Sequence, residues 1–197
     1  VPGAGPGTAF AGLACSAAIR QVERSRAVES EIAYPPFALG LSKRVTGVRP
    51  VGWHTRSAAS PNTRRLLMEA GGFLYDSDYY GDDLPCTLAR PGQRPYVVLP
   101  YAFDTNDMQF QHTHRFVRAT DFSGYVNDAF DWLWREGAVA PKMMSVGLHL
   151  RMLGRPGRMA ALEHILEHML GRGDVWIARR DAIARHWLGT AADQPGA

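Results

Sequence analysis

A short apolar run followed by a capped amphipathic helix recurs along these 197 residues, and this unit limits the fold more than any other feature. Met143–Leu148 (MMSVGL) is a short, largely apolar run of the kind a fully buried strand shows. After Leu148-His149 a loop carrying Arg151, Arg155 and Arg158 opens a helix with Pro156 in its first turn, expected to run to Leu170. The same reading places a short strand at Pro50–Trp53 and then a helix capped by Ser60, with Pro61 at its first position and Gly71-Gly72 at its end. Further strands are expected at Phe73–Tyr75, Pro95–Tyr101 and Asp174–Ile177. Further helices are expected from Asp121 to about Glu136, with Phe122, Val126, Ala129, Phe130 and Leu133 on the buried face, and over Arg180–Leu188. Such alternation predicts a parallel α/β sheet or barrel. The strands are too few to close eight-fold, so the chain reads as part of a barrel.

The ends differ from this centre. Residues 1–47 read as irregular or partly helical, with Val1–Gly12 poorly ordered, a helix over Ser16–Ile32 and a helical turn or two from Phe37 to Val45. Residues 189–197 read as a disordered tail, and the start at Val1 suggests a fragment or a processed chain. A net charge of +3, scattered rather than gathered, argues against nucleic-acid binding. No apolar run is long enough to cross a membrane and no positively charged leader precedes the small apolar start, so a cytoplasmic protein is expected. Cys15 and Cys86 stand far apart and form neither a disulfide framework nor a zinc motif.

Polar residues collect just after the strands: His54, Thr55 and Arg56; Asp76 and Asp78; Asp104, Asn106 and Asp107; His149 and Arg151. The carboxyl ends of strands are where an α/β barrel holds its active site. Carboxylates beside an imidazole suit hydrolysis, in which a base activates water and an acid protonates the leaving nitrogen. Each residue also has a plainer reading: an aspartate caps a turn, and a buried histidine bonds to backbone. His112 and His114, with Asp107, have the spacing of metal ligands on a strand but suit a loop as well. His164 and His168 sit one helical turn apart, opposite an expected buried face of Met159, Leu162, Ile165, Leu166 and Met169, and so are expected to face solvent. Trp132, Trp134 and Trp176 read as packing residues, whereas Trp53 at a strand end suits packing or substrate contact.

Four stretches resemble one family: RPVGWHTRSAASPNTRRLLMEAGGFLYDSDYYGDDLP (Arg49–Pro85), LPYAFDTNDMQF (Leu99–Phe110), APKMMSVGLHLRMLGRPGRMAALE (Ala140–Glu163) and VWIARRDAIARHW (Val175–Trp187). The family is the polysaccharide-deacetylase (NodB homology) superfamily, and within it the chain is most like the PuuE-type allantoinases. The resemblance implies a partial, distorted (β/α) barrel and hydrolysis of a non-peptide C–N bond. Allantoinase chemistry, which opens a hydantoin ring, is the leading expectation, and polysaccharide or peptidoglycan deacetylation the alternative. Matched to the family's motifs, His149 would be the general acid, with Asp104 and Asp107 as further catalytic residues. Arg49, Trp53, Asp78, Asn106 and Arg151 would bind substrate, Arg151 being suited by its charge to a ureido or carbonyl oxygen. No metal or other cofactor is expected, since allantoinases of this type dispense with the usual metal. A small-molecule substrate and a homo-oligomer are the expected partners. The superfamily's first two motifs, an aspartate-rich strand and paired histidines, lie upstream of the matched region and have no counterpart in residues 1–47, which leaves an incomplete, inactive chain as a further alternative.

Overall fold

The computed structural model describes residues 9–15, 38–55, 59–89, 92, 94–111 and 115–192. The expected helix over Ser16–Ile32, most of the Val1–Gly12 stretch, His112 and His114, and residues 193–197 lie outside the described residues. The chain divides into two compact units. One holds Ala9–Cys15, Tyr80–Leu84 and Pro100–Ile183, and the other holds the described residues of Ala17–Tyr79, Pro85–Leu99 and Ala184–Ala197.

The first unit is built on a three-stranded parallel sheet in the order β6 (Lys142–Leu148), β1 (Ala9–Cys15), β7 (Val175–Ala178). The strand β1 corrects the expectation of poor order for residues 9–12. Its sequence, AFAGLAC, is rich in the small residues that signal loops, but it is also uncharged for seven positions, which a central parallel strand requires. Helix α3 (Ala119–Gly137) begins two residues before Asp121. Asp121 still serves its end, accepting from the backbone N–H groups of Val117 (2.9 Å) and Arg118 (2.8 Å). A single turn, α4 (Leu150–Leu153), precedes α5 (Pro156–Leu170), whose limits match the reading from Pro156.

Phe122, Val126 and Phe130 of α3 pack with Met144 and Val146 of β6, Leu153, and Ala161, Ile165 and Met169 of α5. Each large side chain buried here contributes about 1.5–3 kcal/mol. The buried stripe of α5 is therefore Ala161, Ile165 and Met169, with Leu162 packed against it, and it is rotated from the expected face: Met159 is 46% exposed. The same rotation corrects His168, which turns toward α3, its Nε2 2.9 Å from Asp131 Oδ1 and its ring edge-on to Phe130. His164 is exposed, as expected.

The second unit carries α1 (38–46), α2 (Thr63–Ala70) and a sheet in the order β2 (Gly52–Trp53), β3 (Tyr75–Tyr79), β5 (Tyr96–Pro100), β4 (Cys86–Leu88), the last residue of β5 falling in the first unit. The pair β2–β3 is parallel and β4–β5 antiparallel. Helix α2 starts two residues later than the Pro61 reading, because Ser60 Oγ accepts from the backbone N–H of Asn62 (3.0 Å) and holds that turn ahead of the helix. Gly71 (φ 66°) and Gly72 (φ 74°) end it in the left-handed region, where a side chain would be strained. Trp53, Leu67, Phe73, Tyr96 and Val98 form the core of this unit. The last helix, α6 (Arg180–Ala192), runs four residues further than expected, from the first unit into the second.

Candidate active site

In the first unit β6 delivers His149 from its carboxyl end. The residue is extended (φ −123°, ψ 123°) and caps α4. Asp107 opens a 3-10 turn, Asp107–Gln111, and reaches the same point with both oxygens. Its Oδ2 accepts from the backbone N–H of His149 at 2.7 Å, and its Oδ1 lies 2.7 Å from His149 Nδ1. The carboxylate is fully buried and the imidazole 19% exposed. An ionised carboxylate only accepts, so Nδ1 carries the hydrogen and, in the neutral ring, Nε2 keeps the lone pair. Geometry of this kind fixes one tautomer and one ring orientation.

The pair rests on a buried scaffold. Gly147 N–H donates to Thr105 O (2.9 Å), and Thr105 Oγ1 donates to Ser145 O (2.6 Å). Asn106 lies flat against Gly147, where any Cβ would strike the Asn106 amide and the Tyr101 hydroxyl. Asn106 Nδ2 donates to Tyr101 Oη at 2.7 Å, and its Oδ1 accepts from Met108 N–H. Beneath it, Arg180 donates to Ser145 Oγ (2.7 Å) and sits 5.3 Å over the Tyr101 ring. Burial pushes the Tyr101 phenol up, so it stays neutral and keeps its hydroxyl hydrogen.

The second unit holds a separate network. Asp76 and Asp78 lie within β3 rather than after it, which corrects the strand boundary. Asp76 is fully buried and takes Arg64 Nε (2.7 Å) and Nη2 (3.0 Å) on its two oxygens, with Asp78 N–H at 3.0 Å. The Arg64 guanidinium is held above its ordinary range by that carboxylate. Asp78 accepts from Thr55 N–H (2.8 Å) and Oγ1 (2.6 Å) and lies 3.3 Å from His54 Nδ1. Burial pushes its carboxyl up, but the bonds from His54 and Thr55 outweigh this and hold it below the usual carboxylate range.

Of the residues singled out in the sequence, His149, Asp107 and Asn106 come together. Asp104 is exposed and accepts from the Tyr125 hydroxyl (2.9 Å), with no bond to the pair. Arg151 is exposed, two residues beyond His149, its Nη2 3.4 Å from Met108 Sδ. Arg49 donates to Gly71 O (2.6 Å) at the end of α2, which makes it a helix cap in this structure. Trp53 is 6% exposed, edge-on to Phe73 and bonded to Thr55 Oγ1: its position is that of a packing residue. Ser145, Thr105, Tyr101 and Arg180 escaped the sequence reading. Ser145 alone left a trace there, as a hydroxyl in an otherwise apolar strand. Among the described residues no three histidine, cysteine or carboxylate side chains gather to hold a metal ion, so no step is derived through one.

A mixed α/β chain, rich in parallel strands, with a histidine–aspartate pair at a strand end has the fold of solved deacetylase-type and allantoinase structures. No family model matches the chain. It is 40% identical over 152 residues to a polysaccharide deacetylase homologue of Schizosaccharomyces pombe, covering 70% of this chain and 47% of that protein. The crystal structure of the PuuE allantoinase is 47% identical, with a TM-score of 0.78 over 84% of this chain and 55% of its own. A probable polysaccharide deacetylase from Pseudomonas aeruginosa PAO1 is 48% identical, with a TM-score of 0.75 over 82% and 54%. The chain is thus similar to proteins of the polysaccharide-deacetylase group, the group its sequence resembles, and spans about half the length of the relatives it matches. Among the described residues no helix is long and apolar enough to cross a membrane.

Proposed function

We propose that this chain carries the acid–base half of a site that hydrolyses a non-peptide C–N bond, with a cyclic amide of the allantoin type as substrate. The observation that carries the reading is the His149 imidazole fixed through Nδ1 by the buried Asp107. Water adds to the ring carbonyl, a C–O bond forms, and the C–N bond breaks. The imidazolium form of His149 delivers its Nε2 proton to the leaving nitrogen, the proton that the adding water gives up restores that imidazolium, and Asp107 holds the ring and offsets its charge. Arg151, exposed two residues further along the chain, is suited to a ureido or carbonyl oxygen. In this reading the chain acts in the cytoplasm, in urate breakdown, without a metal.

Identity near one half to an allantoinase supports the cyclic amide. Similar identity to proteins named for polysaccharide deacetylation supports the second reading, acetate release from an N-acetylated sugar. One experiment separates them: allantoate formation from allantoin and acetate release from N-acetylated chitooligosaccharide, each with and without chelator. Chelator-resistant allantoate formation, lost in His149→Ala, is the expected result. Acetate release without allantoate would replace the cyclic amide by the sugar, and turnover unaffected by His149→Ala would remove the acid–base role.

A further inference from the structure

Four aromatic residues among those described are more than 40% exposed, and three of them, Tyr80, Phe103 and Tyr125, gather around one point. Tyr80 is the first residue after β3 and Phe103 the third after β5. Their rings stack with centroids 4.4 Å apart and planes 20° from parallel. Tyr101 closes one side of the stack edge-on, 6.2 Å from Tyr80 and 5.8 Å from Phe103. Tyr125 joins through its hydroxyl, which donates to Asp104, the residue after Phe103. Core rings of this unit such as Phe122 are shut off from water, whereas Tyr80 keeps 41% of its surface and Phe103 48%. Packing against Tyr101 accounts for one side of the stack; the exposed remainder is apolar surface that water hydrates at a cost.

The stack is tied to the acid–base pair. Tyr101 Oη accepts from Asn106 Nδ2 at 2.7 Å, and the next residue, Asp107, holds His149. We infer that the Tyr80–Phe103 stack is the platform on which the substrate's ring lies, and that the ring it selects is a flat, uncharged cyclic amide. The inference rests on the hydrolase reading of this site and adds to it the residues that set specificity. Two near-parallel rings extend most closely to a third layer that is itself flat, which an amide ring is and a puckered sugar is not. The face of an aromatic ring is its negative side, so an anionic ring is disfavoured there. Asp104, exposed beside Phe103, is a carboxylate that when ionised only accepts, which suits the N–H edge of such an amide. Flatness, absence of negative charge and an N–H edge together describe a hydantoin.

Saturation-transfer NMR with hydantoin as the probe reads the platform without turnover. The wild-type chain should transfer magnetisation to the hydantoin methylene protons, and Phe103→Leu and Tyr80→Leu should each weaken binding by about 5–10-fold. Phe103→Tyr, which keeps the flat face, should bind as the wild type does. In allantoate formation the two leucine variants should raise KM by the same factor and leave kcat and the urea midpoint near wild type, a split that a merely structural stack would not give. Hydantoin that fails to bind the wild type, binding indifferent to Phe103→Leu, or a loss as large in Phe103→Tyr would each overturn the inference. So would saturation of N-acetylated chitotriose in place of hydantoin. Phe103-dependent hydantoin binding in a chain that forms no allantoate would keep the platform and remove the hydrolase reading. Turnover with KM unchanged in both leucine variants would do the reverse.

Discussion

Asp107→Asn is the substitution that separates what the buried carboxylate does for the fold from what it does for the imidazole. The wild-type side chain accepts two hydrogen bonds from one residue, at 2.7 Å each, with no exposure to water. Asparagine keeps the shape but has one accepting oxygen. If that oxygen stays on the backbone N–H of His149, the amide NH2 faces Nδ1, and the ring must turn its lone pair there and move its hydrogen to Nε2. The opposite arrangement strands a buried N–H. Either way one charge-assisted bond is lost, a cost of about 1–3 kcal/mol of stability. The chemical cost is larger, because the neutral imidazole is held in the wrong tautomer; loss of a positioned proton-transfer group is worth about 10²–10⁴-fold in rate. Urea unfolding should therefore show a folded variant with a modestly lower midpoint, while allantoate formation falls by at least two orders of magnitude with little change in KM. Nitrogen-detected NMR of His149 should show the exchanged tautomer. A variant with the ordinary tautomer, or with turnover within threefold of wild type, would refute the reasoning.

Other perturbations follow from the second network and the scaffold. Arg64→Met takes both guanidinium bonds from the buried Asp76 and should cost about 3–5 kcal/mol, whereas Asp76→Asn should cost about 1–3, since Arg64 is 35% exposed and can turn to water; urea titration of both checks the order. The depressed carboxyl of Asp78 contributes stability that is fully present above the ordinary carboxylate range and is lost as pH falls through its lower folded value, so Asp78→Asn should flatten the acid limb of a stability–pH curve below about pH 4. Trp53→Phe removes the bond to Thr55 and part of a core side chain; it should lower stability by about 1–3 kcal/mol and leave KM unchanged, and a raised KM would return Trp53 to the substrate site. Gly147→Ala should lower turnover more than stability, by driving the Asn106 amide from β6 and Asp107 with it; unchanged kinetics would detach the scaffold from the pair.

The sequence was most legible where one signal stood alone. Pro156 and the apolar run before His149 set α5 and the end of β6, because a proline at the first turn and an uncharged strand have few other uses. It was least legible where two requirements share a residue. Asp76 and Asp78 look like the loop after a strand, yet they sit inside β3 because Arg64, Thr55 and His54 satisfy them there, contacts no local window contains. The three residues of β4 are too few to show alternation, and the small residues of β1 look like a flexible end. In the site, His149 and Asp107 could each be chosen by their place after a strand. Their contact spans forty-two positions and becomes visible only once Asn106 is seated on Gly147.

Burial by itself does not single out a carboxylate for the proposed chemistry, and the contrast between the chain's buried aspartates supplies a criterion that does. Asp76 and Asp107 are equally inaccessible, and both accept charge-assisted or backbone bonds on both oxygens. Asp76 gives its oxygens to a guanidinium that stays charged at any working pH and to a backbone N–H, and the Tyr96 phenol beside it is pushed up by burial and stays neutral. Asp78 is nearly as buried but gives its shortest bonds to Thr55, with His54 at the longer distance of 3.3 Å. Only Asp107 among the three gives one oxygen to the ring and the other to the backbone of the same histidine, fixing both the direction of the imidazole and the nitrogen that carries its hydrogen. A carboxylate used in this way controls a titratable group rather than neutralising a permanent charge. On that difference in partner, and not on depth, the assignment of proton transfer to His149 and Asp107 rests.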